Sequence, residues 1–211
     1  MKTSLLSSLC FGLFLTAAEA STYSFLPSPS DLNDLDHNRF FTWGLNWNVP
    51  QGEKMIGAQL SFSQIWDWRV EPDTLFIHLL DTAPLGVNAW VDNEGGGDFF
   101  ASSLFNSLGI AHLKLAEWSD PNGGDPNKAQ NVTFNFNAAQ LAVLQSYINT
   151  AGSAGWARFG FGLDPDCHYF NNGVSFNIIT QRPPVPEGGS TVLLLALGFA
   201  GIALRRRKLR A

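Results

Sequence analysis

From Met55 to Phe62 the chain alternates, with Ile56, Ala58, Leu60 and Phe62 on one side and Gly57, Gln59 and Ser61 on the other. A period of two sends successive side chains to opposite faces, so the stretch reads as a half-buried β-strand. Asn131–Asn137 repeats the pattern through Val132, Phe134 and Phe136. Phe40–Asn48, Thr74–Leu80, Val87–Val91, Phe99–Phe105 and Ile110–Leu115 are rich enough in aromatic and β-branched residues to read as strands, the last two flanking a turn at Ser107-Leu108-Gly109. Trp156–Leu163 and Val174–Thr180 are expected to close the set as an antiparallel pair. Short strands separated by Gly, Pro and Asn turns predict an all-β fold, an antiparallel, jelly-roll-like β-sandwich.

One segment breaks the period. In Ala138–Asn149, Leu141, Leu144, Gln145 and Ile148 recur at helical spacing, and Asn137 with Gln140 forms a capping-box start. Gly152 and Gly155 then end the helix. No internal repeat is present.

The two ends have a different character. Residues 1–20 combine Lys2, an apolar run from Leu9 to Leu15 and a small-residue site, Ala18-Glu19-Ala20. That order is a secretory signal peptide, and the mature chain would begin at Ser21. Near the other end, Thr191–Leu204 is an uncharged run of 14 residues. As a helix it is about 21 Å long, against about 30 Å of bilayer hydrocarbon, so it is a short transmembrane helix aided by snorkelling arginines. Arg205, Arg206, Arg207, Lys208 and Arg210 follow it, and the positive-inside rule keeps them cytoplasmic. The expected organisation is a signal peptide over 1–20, a sandwich over 21–182, a Pro/Gly linker with a motif over 183–190, the membrane helix over 191–204 and a basic tail over 205–211.

Val185-Pro186-Glu187-Gly188-Gly189-Ser190-Thr191, the short apolar helix and the Arg cluster together resemble a PEP-CTERM sorting signal, closest to its Val-Pro-Asp-Ser-Gly variant. Glu187 stands where that variant usually has Asp, and Gly188 where Pro-Glu-Pro would have proline. The resemblance implies recognition by an exosortase, a membrane-embedded protease or transpeptidase of Gram-negative bacteria that build an exopolysaccharide matrix. It implies transient anchoring in the inner membrane, then delivery to the cell envelope or extracellular matrix. Asp34-Leu35-Asp36-His37 with Phe40–Gly44, and Gly162–Gly173, also resemble segments of exported bacterial β-sandwich proteins bearing the same signal, which carry no established activity.

Without its ends the chain keeps seven basic and sixteen acidic residues over 21–186, a net charge of −9. That balance excludes the basic footprint of a nucleic-acid binder and disfavours anionic lipid. Cys10 leaves with the signal peptide, so Cys167 has no internal disulfide partner and packing must hold the fold.

Two segments combine Asp-x-Asp with a nearby His. Asp34, Asp36 and His37 precede the first predicted strand, and Asp164, Asp166 and His168 lie between the last two. Alternating carboxylates can converge on Ca²⁺, which takes six to eight oxygens, whereas His favours a borderline metal such as Zn²⁺. The expectation is a Ca²⁺-stiffened pair of loops; the simpler reading is Asx turns. Cys167 beside His168 lacks the spatial evidence a nucleophile pair requires. Asp92-Asn93-Glu94-Gly95-Gly96-Gly97-Asp98 reads as a hairpin loop.

Trp66 and Trp68, two apart, share one strand face and are the pair expected to contact a glycan; most other tryptophans are expected in the core. No nucleophile elbow, phosphate loop or zinc-ligand spacing is present. The sequence therefore reads as an exported, non-enzymatic protein with a carbohydrate-binding sandwich and exopolysaccharide as a partner. A secreted glycan hydrolase and a purely structural surface protein are the alternatives.

Overall fold

The computed structural model describes residues 19–71, 73–92, 96–150, 155–183, 194–195 and 197–199. The chain divides into a compact unit, Ala20–Gln181, and a second unit made of the two termini. Most of the expected signal peptide, the sorting motif Val185–Thr191 and the basic tail lie outside the described residues. So does most of the expected membrane span: Leu194, Leu195 and Leu197–Phe199 are helical, and no helix among the described residues is long and apolar enough to cross a membrane.

Among its described residues the compact unit contains ten strands and two α-helices in the order β1 (Ala20–Phe25), β2 (Arg39–Leu45), β3 (Lys54–Asp67), β4 (Leu75–Leu80), β5 (Gly86–Val91), α1 (Ser103–Ser107), β6 (His112–Trp118), β7 (Gln130–Asn135), α2 (Ala138–Asn149), β8 (Phe159–Pro165), β9 (Tyr169–Phe170) and β10 (Val174–Gln181). Sheet one runs β1-β10-β3-β7, with β9 also on β3, and sheet two runs β5-β2-β8-β4-β6. Every pairing between these strands is antiparallel. The core lies between the sheets, where Phe161 of β8 meets Phe176 of β10 with ring centroids 4.7 Å apart. The sandwich and its helix over 138–149 stand as the sequence predicts, and both halves of the Asn137–Gln140 capping box form.

Four expectations need correction. β8 and β10 are not a pair: β8 joins β2 and β4, while β10 joins β1 and β3. Their aromatic residues face one another across the core, a relation that alternation alone cannot distinguish from hydrogen-bonded neighbours. Second, Ile56 is 46% exposed whereas Met55 is buried. Gly57 pairs with Ile179 and Met55 with Thr180, so Ile56 is an extra residue on β3, and a bulge inverts the faces on either side of it.

Third, Phe99–Phe105 is not a strand. It forms a 3₁₀ turn and the short α1, laid over the outer face of sheet two, with Phe99, Phe100 and Phe105 buried. A second apolar cluster results, including Leu80 and Ala83. The Phe100 ring rests on Gly162, where a Cβ would collide with it. Fourth, Trp156 falls outside the strand predicted to begin there and makes only an isolated bridge to Pro84. β1 escapes the sequence reading because it begins at the predicted cleavage site; β9 escapes it because it spans two residues.

Gly162→Ala should destabilise the protein by about 1–3 kcal/mol through overpacking against Phe100. Gly57→Ala, whose Cβ would meet Ile179 at 3.5 Å, should change little. Urea unfolding followed by tryptophan fluorescence checks both, and equal midpoints for the two variants would count against the Phe100 contact.

Candidate functional site

A second irregularity in β3 sets the site. Phe62 pairs with Val132 and Ile65 with Gln130, so β3 carries one more residue than β7 across this interval. Gln64 takes up the bend at φ 48°, and its backbone N–H and side-chain amide both donate to Asn131 Oδ1, at 3.0 and 3.2 Å. Before this bulge Ala58, Leu60 and Phe62 face inward; after it Ile65 and Asp67 do. Trp66 and Trp68 are therefore turned out of the sandwich.

β9 continues the arrangement. Trp66 pairs with Phe170 and Asp67 with Tyr169, and Trp68 N–H donates to the His168 carbonyl at 3.2 Å. Alternation then gives the ribbon two chemically distinct faces. Outward lie Trp66, Trp68, His168 and Phe170; inward lie Asp67, Cys167 and Tyr169. On the outer face Trp66 and Phe170 stack with centroids 4.7 Å apart, and the His168 ring follows 4.3 Å from Phe170. Trp68 is 55% exposed.

The segment before β2 closes on this row. Leu32, Asn33, Asp34 and Leu35 all have positive φ, a left-handed turn costly for non-glycine residues. Its compensation is visible: Leu32 and Leu35 are both fully buried. The turn presents Asp36 to His168 Nδ1 at 3.8 Å and to His37 Nδ1 at 3.2 Å. Asp36, His37 and His168 each place one ligand atom within 4.8 Å of the others. A carboxylate with two imidazoles is a donor set for a borderline divalent cation rather than for Ca²⁺.

The remaining expected ligands go elsewhere. Asp34 Oδ1 faces the Asn171 backbone N–H at 3.5 Å, and Asn171 Nδ2 donates to the Asp31 carbonyl at 2.8 Å. Asp164 is buried and accepts Phe99 N–H at 2.6 Å, while Asp166 accepts Gly97 N–H at 2.7 Å. These two carboxylates hold the 96–99 loop onto sheet two and do not join Asp36, so the two Asp-x-Asp motifs do not pool their oxygens.

Sequence reasoning missed two groups. His78, buried on β4, donates from Nε2 to Asp98 at 2.9 Å, and Lys114 Nζ donates to the same carboxylate at 2.9 Å. Burial would raise the Asp98 carboxyl, but these two donors hold it below its ordinary value. The other group is the inward face of the ribbon. Its signal in the sequence is a charged residue, Asp67, between two tryptophans.

Against this geometry, one family model matches: the VPDSG-CTERM motif, at residues 184–209. The chain carries an exosortase-type sorting signal. It is thereby an exported, envelope-directed protein with an exosortase-type processing partner. No curated protein matches the chain. Among solved structures, a chain of Desmodium yellow mottle tymovirus aligns at 9% identity, covering 87% of this chain and 98% of that one, with a TM-score of 0.26. A likeness that slight carries no argument.

Asp164 gives a pH signature. Burial pushes its carboxyl up to about 7; the Phe99 N–H opposes the shift, and the Asp92, Asp166 and Asp98 carboxylates add to it. The folded state then binds this proton more tightly than the unfolded chain, so stability falls as pH rises from about 4 to about 7. The full effect is on the order of 4 kcal/mol, at about 1.4 kcal/mol per pKa unit. Asp164→Asn keeps an oxygen for the Phe99 N–H and should be the more stable protein at pH 8, with a flatter profile. Urea midpoints between pH 4 and 8 test this; parallel profiles would refute it.

Proposed function

We propose that this exported, exosortase-sorted protein is a non-enzymatic polysaccharide-binding module of the envelope or matrix, whose contact surface is the outer face of β3 and β9. The observation that carries the reading is the outward-facing ring row: half-buried Trp66 stacked on half-buried Phe170, half-buried His168 beside it, and Trp68 open to solvent. Flat aromatic faces pack against the C–H faces of sugar rings, and their rigidity keeps the entropy cost of contact low.

The same face of β3 continues into a groove of about 440 Å³ lined by Ser61, Ser63, Asn131, Thr133, Asn172 and Ser175, among others. Ser63 and Trp66 are three residues apart, roughly 10 Å along a strand, which is the scale of two sugar rings. Hydroxyls and amides donate and accept as sugar hydroxyls do. None of the groove's lining residues is a carboxylate, so the groove does not supply the acid pair that glycoside hydrolysis uses. That favours binding over the hydrolase alternative. Asp36, with His37 and His168 at the edge of the ring row, adds polar contacts for a sugar hydroxyl.

Affinity electrophoresis tests this. The purified full-length chain in mild detergent is run through gels containing exopolysaccharide from a matrix-forming Gram-negative bacterium. The parent should be retarded, and Trp68→Ala should bind about tenfold more weakly, a loss of about 1.4 kcal/mol. Trp68→Phe should restore most of the retardation, and Trp90→Ala, on sheet two, should leave it unchanged. Migration of the parent unaffected by neutral and acidic polysaccharides alike would overturn the reading.

A further inference from the structure

On the inward face of the same ribbon, Asp67, Asp73 and Cys167 each place one ligand atom within 4.8 Å of the others. Asp67 is the last residue of β3, in sheet one. Asp73 leads into β4 and Cys167 follows β8, both strands of sheet two. Asp67 is 0% exposed and Cys167 2%. Asp67 Oδ2 finds no hydrogen-bond partner, nor do Asp73 Oδ2 and the hydroxyl of Tyr169, a fully buried residue. Unpartnered buried carboxylate oxygens are costly, and each calls for an explanation.

The surroundings hold Asp67 in place without neutralising it. Its backbone N–H donates to Asp120 Oδ2 at 3.2 Å, and its carbonyl accepts Gly124 N–H at 2.9 Å. Gly123 closes over it: a Cβ there would collide with the Arg69 carbonyl and with Asp67 Oδ1. Arg69 N–H donates to Oδ1 at 2.8 Å, which leaves Oδ2 to face the interior. Among the described residues, no cationic side chain forms an ion pair with Asp67 or Asp73. Burial, together with the Asp73 and Asp67 carboxylates, pushes the Cys167 thiol up to about 12.

We propose that Asp67, Asp73 and Cys167 form a binding site for a thiophilic divalent cation of the Zn²⁺ class, which ties the two sheets together at one end of the sandwich. A triangle with sides of 4.8 Å has its centre about 2.8 Å from each corner. Zn–S bonds of about 2.3 Å and Zn–O bonds of about 2.0–2.2 Å therefore require only a modest inward closure. Binding breaks the Cys167 S–H bond, forms a sulfur–metal bond and releases the proton to solvent, with no change of oxidation state. Two carboxylates and one thiolate then face the two positive charges. The thiolate selects against Ca²⁺ and Mg²⁺, which take oxygen ligands. This site is separate from the outer Asp36–His37–His168 group, and its occupancy does not depend on polysaccharide binding.

Co²⁺, a coloured substitute for Zn²⁺, supplies the test. The full-length protein is prepared with Cys10→Ser, so that Cys167 is the one thiol, and stripped with chelator. Titration with Co²⁺ should produce a near-ultraviolet sulfur-to-cobalt charge-transfer band that saturates at one equivalent and is bleached by Zn²⁺. At a hundredfold excess of free Zn²⁺ over its dissociation constant, the thermal midpoint should rise by about 5–10 °C. In a His37→Ala, His168→Ala background, so that the outer group cannot contribute, Cys167→Ser should lose both signals. Asp73→Asn, at a half-buried position, provides a second variant should Cys167→Ser misfold, and should weaken Co²⁺ binding at least tenfold. His37→Ala with His168→Ala should keep the band. No charge-transfer band in a protein with native near-ultraviolet circular dichroism would overturn the proposal. So would a band, or a Zn²⁺-induced midpoint rise in the His37→Ala, His168→Ala background, that survives Cys167→Ser.

Discussion

One extra residue in β3 decides what this protein shows to solvent and what it buries. A strand with strict alternation would carry the phase of Ala58, Leu60 and Phe62 onward and put Trp66 and Trp68 into the core. The bulge at Ser63–Gln64 reverses that phase, so the tryptophans go out and Asp67 goes in. The cost is a non-glycine residue at positive φ and a buried carboxylate. Part of it is offset locally, by Asn131 under Gln64 and by the Asp120–Gly124 loop around Asp67. A bulge conserving so little for packing is intelligible as a device that aims side chains, which is where bulges concentrate in sheets.

The left-handed turn at Leu32–Leu35 works in the same direction. Read as sequence, the segment is polar and turn-forming. In the structure its two leucines are core residues, and Tyr169 N–H donates to the Leu35 carbonyl at 3.3 Å. Anchoring by Leu32 and Leu35 is what brings Asp36 beside His168 across 132 positions of chain. The acidic segment is thus positioned by its apolar members, and its carboxylates are carried along to different ends: Asp34 to Asn171, Asp36 to the ring row.

What was legible in the sequence follows the range of the physics involved. Alternation and capping are local, so β3, β7 and α2 could be read from their own residues, as could the motif, apolar run and basic cluster of the sorting signal. Phe99–Phe105 could not, because its conformation is decided by burial against Gly162, Leu80 and Ala83, residues of other elements. The bulges were hidden for a related reason: an extra residue is defined only relative to the neighbouring strand. Of the candidate site, Trp66 and Trp68 were legible as a shared face. Phe170 was not, because a two-residue strand leaves no periodicity to read. The separation of Asp164 and Asp166 from Asp36 was equally hidden, since their partners are backbone amides of a loop on sheet two.

Cys167, the one cysteine of the compact unit, ties export to the fold. A chain delivered outside the cytoplasm meets an oxidising compartment, where an exposed unpaired thiol forms mixed disulfides and dimers. Cys167 is protected twice: it is 2% exposed, and its thiol is held protonated by burial and by adjacent carboxylates. Since the thiolate is the reactive form, both conditions suppress oxidation and exchange. The acidic neighbours that make Cys167 inert toward disulfides are the same groups that attract a divalent cation. A cation that displaces the thiol proton would convert this protected group into a link between the two sheets, in a domain that has no disulfide to do so.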